Sequence, residues 1–240
     1  MTEELNYKPL PWDSAHFGFP VASIPDGELE ENDLSGILEI LRTEGTRLVY
    51  HSRSQPLRDE RMLIRFDGLL ADEKVTFAKQ LTRESGVETD EHIHPYAESS
   101  VSDALLKLAL DAGKFSRFRI DPHFRNNEYQ SLYRTWIERS VSRDIAHEVI
   151  VYESDGQVLG MVTMGEKNHR GDIGLVAVSE LARGKGIGKK LMIAAENDFR
   201  RRGYLDIQVV TQGINEAACK LYTGSGFHLD EKIYYYHFWL

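Results

Sequence analysis

The residues best suited to chemistry are Arg183-Gly184-Lys185-Gly186-Ile187-Gly188, which follow an apolar run, Ile173-Gly174-Leu175-Val176-Ala177-Val178, and open an amphipathic segment. A strand, a glycine-rich turn and a helix start make an anion cradle, because unpaired backbone N–H groups and the helix dipole converge on one spot. A phosphate is the expected guest. The order is not G-x-x-x-x-G-K-[ST], since Ile187-Gly188 stands where Lys-Ser/Thr would reach Mg²⁺. No G-x-G-x-x-G follows an early strand with an acidic residue about 20 positions on. Nucleotide hydrolysis and dinucleotide redox chemistry both lose ground, leaving phosphate binding against an ordinary glycine-rich strand-to-helix turn.

A second constellation is Asn215-x-x-Ala218-x-x-Leu221-Tyr222-x-x-x-Gly226-Phe227. The step from Asn215 to Tyr222 is almost two helical turns, so these two and Ala218 or Cys219 share one face. The plain alternatives are an N-cap asparagine and a core tyrosine with its hydroxyl tied off. A Cys219 thiolate could take an acyl group first in a ping-pong scheme, yet no histidine neighbours it in sequence, and a small buried apolar side chain is the simpler reading.

Both segments resemble the GNAT N-acetyltransferase superfamily: Arg183-x-x-Gly186-x-Gly188 is similar to its [RQ]-x-x-G-x-[GA] segment, and Asn215 to Phe227 to its N-x-x-A-x-x-[LF]-Y-x-x-x-G-F segment. The resemblance implies acetyl-CoA as co-substrate and no metal, with the pyrophosphate on the backbone of Arg183, Gly184, Lys185, Gly186, Ile187 and Gly188, helped by the Lys189 side chain. It also implies a strand splayed by a bulge, whose Leu175, Val176, Ala177 and Val178 main chain pairs with the pantetheine arm. The Val178 N–H then lies nearest the thioester oxygen, Asn215 touches the cofactor, and the Tyr222 hydroxyl lies near sulfur. A thiol with pKa of roughly 8.5 is a fair leaving group, so an acid of pKa about 10 can assist it, typically by about 10² to 10⁴ in rate. Tyr222 has that acidity.

The base is less determined. Asp172 stands six residues before Val178, an even separation that puts both on one strand face unless the bulge intervenes. His147, Glu148 or a water chain are its rivals, and a solvated strand-end carboxylate is the plain alternative for Asp172.

Three further segments, Pro11 to Pro20, Ser116 to Pro122 and Tyr133 to Ile137, resemble the dTDP-4-amino-4,6-dideoxy-D-galactose (TDP-fucosamine) acetyltransferase family of surface-polysaccharide biosynthesis. That implies a nucleotide-sugar acceptor, acetylated at its C4 amine. A nucleotide diphosphate wants arginine and its rings want aromatic walls, so Arg117 and Arg119 are candidate diphosphate partners and Trp12, Phe17 and Phe19 candidate walls. Acetylation of a protein N-terminus or a polyamine, and a noncatalytic acyl-CoA-binding module, are the other readings.

The elements that must position these groups read as an α+β GNAT fold, a mixed, mostly antiparallel sheet flanked by helices, over residues 101–240, with a smaller N-terminal α/β lobe over residues 1–100. Phe115 to Ile120 reads as a strand, which would send Arg117 and Arg119 to one face, and Glu128 to Val141 as a helix with Leu132, Trp136 and Ile137 inward. Glu148 to Tyr152 and Val158 to Met164 flank a type I′ turn at Asp155-Gly156, with Ile173 to Val178 as the third strand of a meander. Helix Gly186 to Arg202 aligns Ile187, Leu191, Ala194, Ala195 and Phe199 and stops at Gly203. Strand residues Leu205, Ile207 and Val209, a helix over Asn215 to Thr223 and a closing hairpin from Gly226-Phe227 complete the order. In the lobe, Pro20 to Ile24 and Arg47 to His51 read as strands around a helix over Asp33 to Arg42; Glu88 to Ser100, polar and containing Pro95, reads as the linker.

Composition narrows the class. With 240 residues, 41% hydrophobic and 28% charged, the balance is that of a globular protein with a real core. A net charge of -9 opposes nucleic-acid binding. Arg200-Arg201-Arg202 closes a helix, where cations suit the dipole. One cysteine excludes an intrachain disulfide. No long apolar run and no basic-then-apolar start at Met1-Thr2-Glu3-Glu4 point to a cytoplasmic chain without a membrane partner, and the aromatic C-terminal strand offers an edge for a homodimer.

Overall fold

Leu34, Leu38 and Leu41 recur every three or four positions, and the helix they build buries all three side chains against Val49, Phe66 and Phe238. The computed structural model describes residues 7–25, 29–58, 60–82 and 90–240; the N-terminal tetrapeptide and the start of the expected linker, Glu88-Thr89, lie outside them. The chain divides into two units, one made of residues 1–74, 120–123 and 232–240 and the other of residues 75–119 and 124–231.

The first unit contains β1 (Lys8–Pro9), α1 (Pro11–Phe17), β2 (Val21–Ile24), α2 (Glu31–Thr43), β3 (Leu48–Arg53), α3 (Glu60–Arg65) and the start of β4 (Gly68–Gln80). β2 and β3 are parallel, with α2 as their crossover, whereas β1 runs antiparallel to β2. Ala22, Ile24, Val49, Phe66 and Phe238 pack with the α2 leucines into its core.

Asp121 sits at the centre of this unit's polar interior, 1% exposed. Its Oδ2 accepts from His237 Nδ1 at 2.6 Å and Trp239 Nε1 at 3.0 Å, and its Oδ1 from the His123 main-chain N–H at 2.9 Å. Burial alone would raise its carboxyl; the donors from His237 and His123 outweigh that and hold it at about 2.

In the second unit β5 (Ile93–Pro95), α4 (Asp103–Ala112), α5 (Arg117–Ile120) and α6 (Glu128–Val141) precede the meander β6 (Glu148–Ser154), β7 (Gln157–Lys167) and β8 (Arg170–Val178). Then come α7 (Ile187–Arg201), β9 (Asp206–Gln212), α8 (Glu216–Gly224) and β10 (His228–Trp239), the last ending in the first unit. The strand order runs β4, β9, β8, β7, β6, β5. Asp155 and Gly156 adopt φ of 52° and 71°, as the two-residue turn requires. The apolar stripe of α7 is buried along its length, and Gly203 ends the helix at φ 89°.

Four expectations change. Arg117 to Ile120 is helical, and only Phe118 of its side chains is buried; residues two apart on a helix diverge by about 200°, so Arg117 and Arg119 do not share a face. The Pro95 stretch contains an edge strand paired with β6, a place where a missing N–H costs nothing. No closing hairpin forms, because residues 228–239 are one strand. That strand lies between β3 and β4, so it has no edge to lend a second copy. Among the described residues no helix is long and apolar enough to cross a membrane, and no group of His, Cys, Asp or Glu could hold a metal ion.

A depressed carboxyl stabilises the folded state above its unfolded pKa of about 3.9, and that contribution is lost as pH falls through the folded value. Urea unfolding should therefore show stability falling between about pH 4 and pH 2 by about 2 kcal/mol on account of Asp121. Asp121→Asn should remove that part of the slope and lower stability at pH 7 by about 3 kcal/mol, since the buried His237 and Trp239 donors lose a charged acceptor.

Candidate active site

The site begins with a mismatch between two strands. In the β7–β8 ladder Val162 pairs with Val176 and Met164 with Ile173, so Thr163 alone faces Gly174 and Leu175. This is a β-bulge, two residues against one. Thr163 Oγ1 accepts the Leu175 N–H at 2.8 Å, and a Cβ on Gly174 would lie 2.6 Å from that oxygen, so only glycine fits without displacement. On its other side β8 pairs with β9 in parallel over Gly171 to Ile173 only. Past the bulge the two strands part, and the β9-facing edge of β8 from Gly174 to Val178 has no strand partner there.

At the end of β8 the chain turns through Gly184 and Gly186, at φ 79° and 76°, into α7. Gly186 is the N-cap and offers no side chain, so the first amides of α7 keep their free donors. Gly188 sits against Leu221 and Val178, its would-be Cβ 3.3 Å and 3.8 Å from them. A cavity of about 410 Å³ opens where the strands part. Val176, Ala177, Val178, Arg183, Gly184, Gly186, Ile187, Gly188, Lys189, Asn215 and Tyr222 all line it. Leu175 and Lys185, from the same stretch, do not; Leu175 packs on the α4 side and Lys185 is exposed.

Side chains around this cavity are partly committed. Arg183 Nε donates to the Val178 carbonyl at 3.3 Å and its Nη1 to Glu180 at 3.2 Å. Asn215 caps α8, its Oδ1 accepting the Ala218 N–H at 3.3 Å while its Nδ2 donates to Thr211. Tyr222, 4% exposed, rests against the Phe77 and Phe227 rings at 5.8 Å and 6.4 Å. Burial pushes its phenol well above the ordinary value of 10, so it stays protonated at working pH.

The bulge overturns the geometric basis for Asp172. Ile173 and Val178 are five apart yet both pack on the α7 side, while Leu175 and Ala177 face α4. Asp172 therefore falls on the face opposite Val178, away from the cavity, and accepts from Gln208 Nε2 at 2.7 Å. Its rivals are also outside the lining: His147 lies 3.4 Å from the Tyr204 hydroxyl, and Glu148 pairs with Arg143 at 3.0 Å. Cys219 is beyond it too, with its thiol raised by burial, which disfavours a thiolate nucleophile.

Sequence reasoning missed Asp111, Ala112 and Lys114, which complete the lining from the end of α4. The signal available was Gly113, where a Cβ would sit 2.2 Å from the Tyr133 ring and which therefore fixes this turn against α6. Of the candidate acceptor contacts, Arg117 lies over the Phe118 ring at 4.7 Å and Arg119 over Tyr129 at 5.8 Å. In the first unit, Trp12 stacks on His16 at 5.0 Å, and Phe17 on Phe19 at 5.9 Å.

Residues 112–227 match the acetyltransferase (GNAT) family. The dTDP-fucosamine acetyltransferase of Escherichia coli O6:H1 is 33% identical over 141 residues, 58% of this chain and 60% of that one. The spore coat polysaccharide biosynthesis protein SpsD of Bacillus subtilis is 25% identical over 142 residues, 59% of this chain and 49% of that one. The matched stretch thus spans less than two thirds of either relative. Among solved structures, a conserved protein from Staphylococcus epidermidis superposes with a TM-score of 0.63 over 95% of this chain and 88% of its own, at 14% identity. A GCN5-related N-acetyltransferase from Sphaerobacter thermophilus gives 0.56 over 96% and 75%, also at 14%. These two are likenesses of fold.

Thr163→Val keeps the shape of the side chain and removes the acceptor of the Leu175 N–H, so it should cost about 1–3 kcal/mol in denaturant unfolding, the penalty for a buried unpaired donor. A loss below the low end of that range would mean that water replaces the hydroxyl.

Proposed function

We propose that the protein transfers acetyl from acetyl-CoA to the 4-amino group of a dTDP-linked 4-amino-4,6-dideoxyhexose, a reading that starts from the match of residues 112–227 to the acetyltransferase (GNAT) family. The observation that carries the acetyl-transfer half is the convergence of the open β8 edge, the uncapped α7 amides and the Tyr222 phenol on one cavity. The sugar half is supported by the likeness to dTDP-fucosamine acetyltransferase and to a spore coat polysaccharide biosynthesis protein.

The residues fit the co-substrate. Amides of Gly184 and of Gly186 to Lys189, with the Lys189 ammonium, hold its diphosphate, with no side-chain cap competing for the donors. Val176 to Val178 offer a strand edge to the pantetheine amides, replacing the partner that β9 ceases to supply after Val209. Acetyl-CoA supplies an activated acyl carbon and a thiol leaving group. Tyr222 keeps a proton at its phenol oxygen for that sulfur, and the ring wall of Phe77 and Phe227 keeps water from competing for it.

A thiol-release assay across dTDP-amino sugars, peptides and polyamines tests the reading, with turnover expected on the amino sugar. Tyr222→Phe should lower kcat by about 10² while leaving acetyl-CoA affinity within about twofold. Gly186→Val, which forces a branched side chain to φ 76° in the cradle, should weaken acetyl-CoA by about tenfold or more in calorimetry. Equal loss of kcat and affinity in Tyr222→Phe would assign the phenol to the core.

A further inference from the structure

A second cavity, of about 500 Å³, is lined by Ala104, Lys107, Leu108 and Asp111 of α4, and Asp111 is the one residue that lines both cavities. From this and from the charges along α4 we infer that the second cavity seats the amine-bearing acceptor, with Asp111 receiving its nitrogen and Lys107 its phosphate. The inference rests on the acetyltransferase reading above and extends it to where, and by which residues, the acceptor is held.

A direct transfer needs two substrates that approach from different sides and meet at one place. Two cavities that share a wall residue provide that arrangement, and the shared residue is then the natural partner of the group that crosses. That residue is a carboxylate. An amine presents N–H donors and, when protonated, a positive charge, and a carboxylate is the side chain that accepts both. Among the described residues the Asp111 side chain has no hydrogen bond or ion pair, although its charge is felt at the Tyr129 phenol, which it helps to raise. The other acids of this cavity are Glu153, already held 3.5 Å from His94, and Glu98.

Lys107 stands one helical turn before Asp111 on the same cavity wall, and the two form no ion pair with each other. Four residues of α-helix rise about 6 Å. An acceptor with an amine and a phosphate on opposite sides of one sugar ring fits that spacing, and the unpaired charges of Asp111 and Lys107 suit its two ends. When the amine nitrogen bonds to the acyl carbon it must lose one proton, while the sulfur keeps the electron pair of the broken C–S bond and takes a proton from Tyr222. The Asp111 carboxylate is placed to take the proton from nitrogen, and exchange with solvent returns both groups to their starting state.

Equilibrium binding tests this without turnover, using dTDP-4-amino-4,6-dideoxy-D-galactose and its analogue with a hydroxyl in place of the amine, on the full chain. The parent should bind the amino sugar about tenfold more tightly than the analogue, and Asp111→Asn should bring the two within about twofold of each other. The melting temperature of Asp111→Asn should stay at the parental value. Lys107→Ala should weaken both sugars about equally, by about tenfold. Ala104→Phe, from an exposed position of the same wall, should weaken both by filling the cavity. Full amino-over-hydroxyl preference in Asp111→Asn, or parental sugar affinity in both Lys107→Ala and Ala104→Phe, would overturn the inference. Binding of acetyl-CoA with neither sugar bound would overturn it and leave the acetyltransferase reading standing; sugar binding without acetyl-CoA binding would remove that reading instead.

Discussion

The hydroxyl of Thr163 takes a main-chain N–H that a regular ladder would give to a carbonyl, and the rest of the site depends on that exchange. With Leu175 satisfied by a side chain, β8 can carry one residue more than β7 opposite it and bend away from β9 after Ile173. Had the ladder continued, the strand edge would be sealed and no cavity would form there. Gly174 is the second half of the device, since any Cβ would strike the same oxygen. An open edge within a sheet is costly unless its donors and acceptors are satisfied, at about 1–3 kcal/mol for each group left buried and unpaired. A ligand that supplies amides in strand spacing would remove that cost.

The remaining polar groups divide the labour along one line. Glycines at φ 79° and 76° turn the chain so that α7 begins at the cavity with its first amides uncapped by any side chain. At the other end Asn215 is spent holding the start of α8, which fixes where Tyr222 emerges, nearly two turns later. The burial that raises the Tyr222 phenol makes it a weaker acid and keeps it protonated at working pH. Asp121 follows the opposite logic, a buried carboxylate held ionised by its donors, and its role is to tie together strand and loop segments of the first unit.

Much of this was legible in the sequence where one local rule dominates. Asp155-Gly156 names its own turn, the α7 stripe names its buried face, and the glycines of the cradle name their φ angles. The bulge could not be located from the residues, because Gly174 and Thr163 are 11 apart and meet only through the ladder. Its consequence was the misplacement of Asp172, since a single extra residue flips every later side chain to the other face. Phe115 to Ile120 alternates like a strand over too few residues for the period to decide, and tertiary burial of Phe118 in a short helix prevailed. Asp111 was invisible for a different reason: nothing about an aspartate at a helix end signals that two cavities meet beside it.

Hydrogen–deuterium exchange on the full chain, with and without coenzyme A, tests most directly whether the parted strand edge and the α7 start form the binding site. Slowed exchange at Leu175 to Val178 together with Gly184 to Lys189, and little change elsewhere in the sheet, is the expected result. Coenzyme A that binds yet leaves both stretches exchanging as before would contradict it.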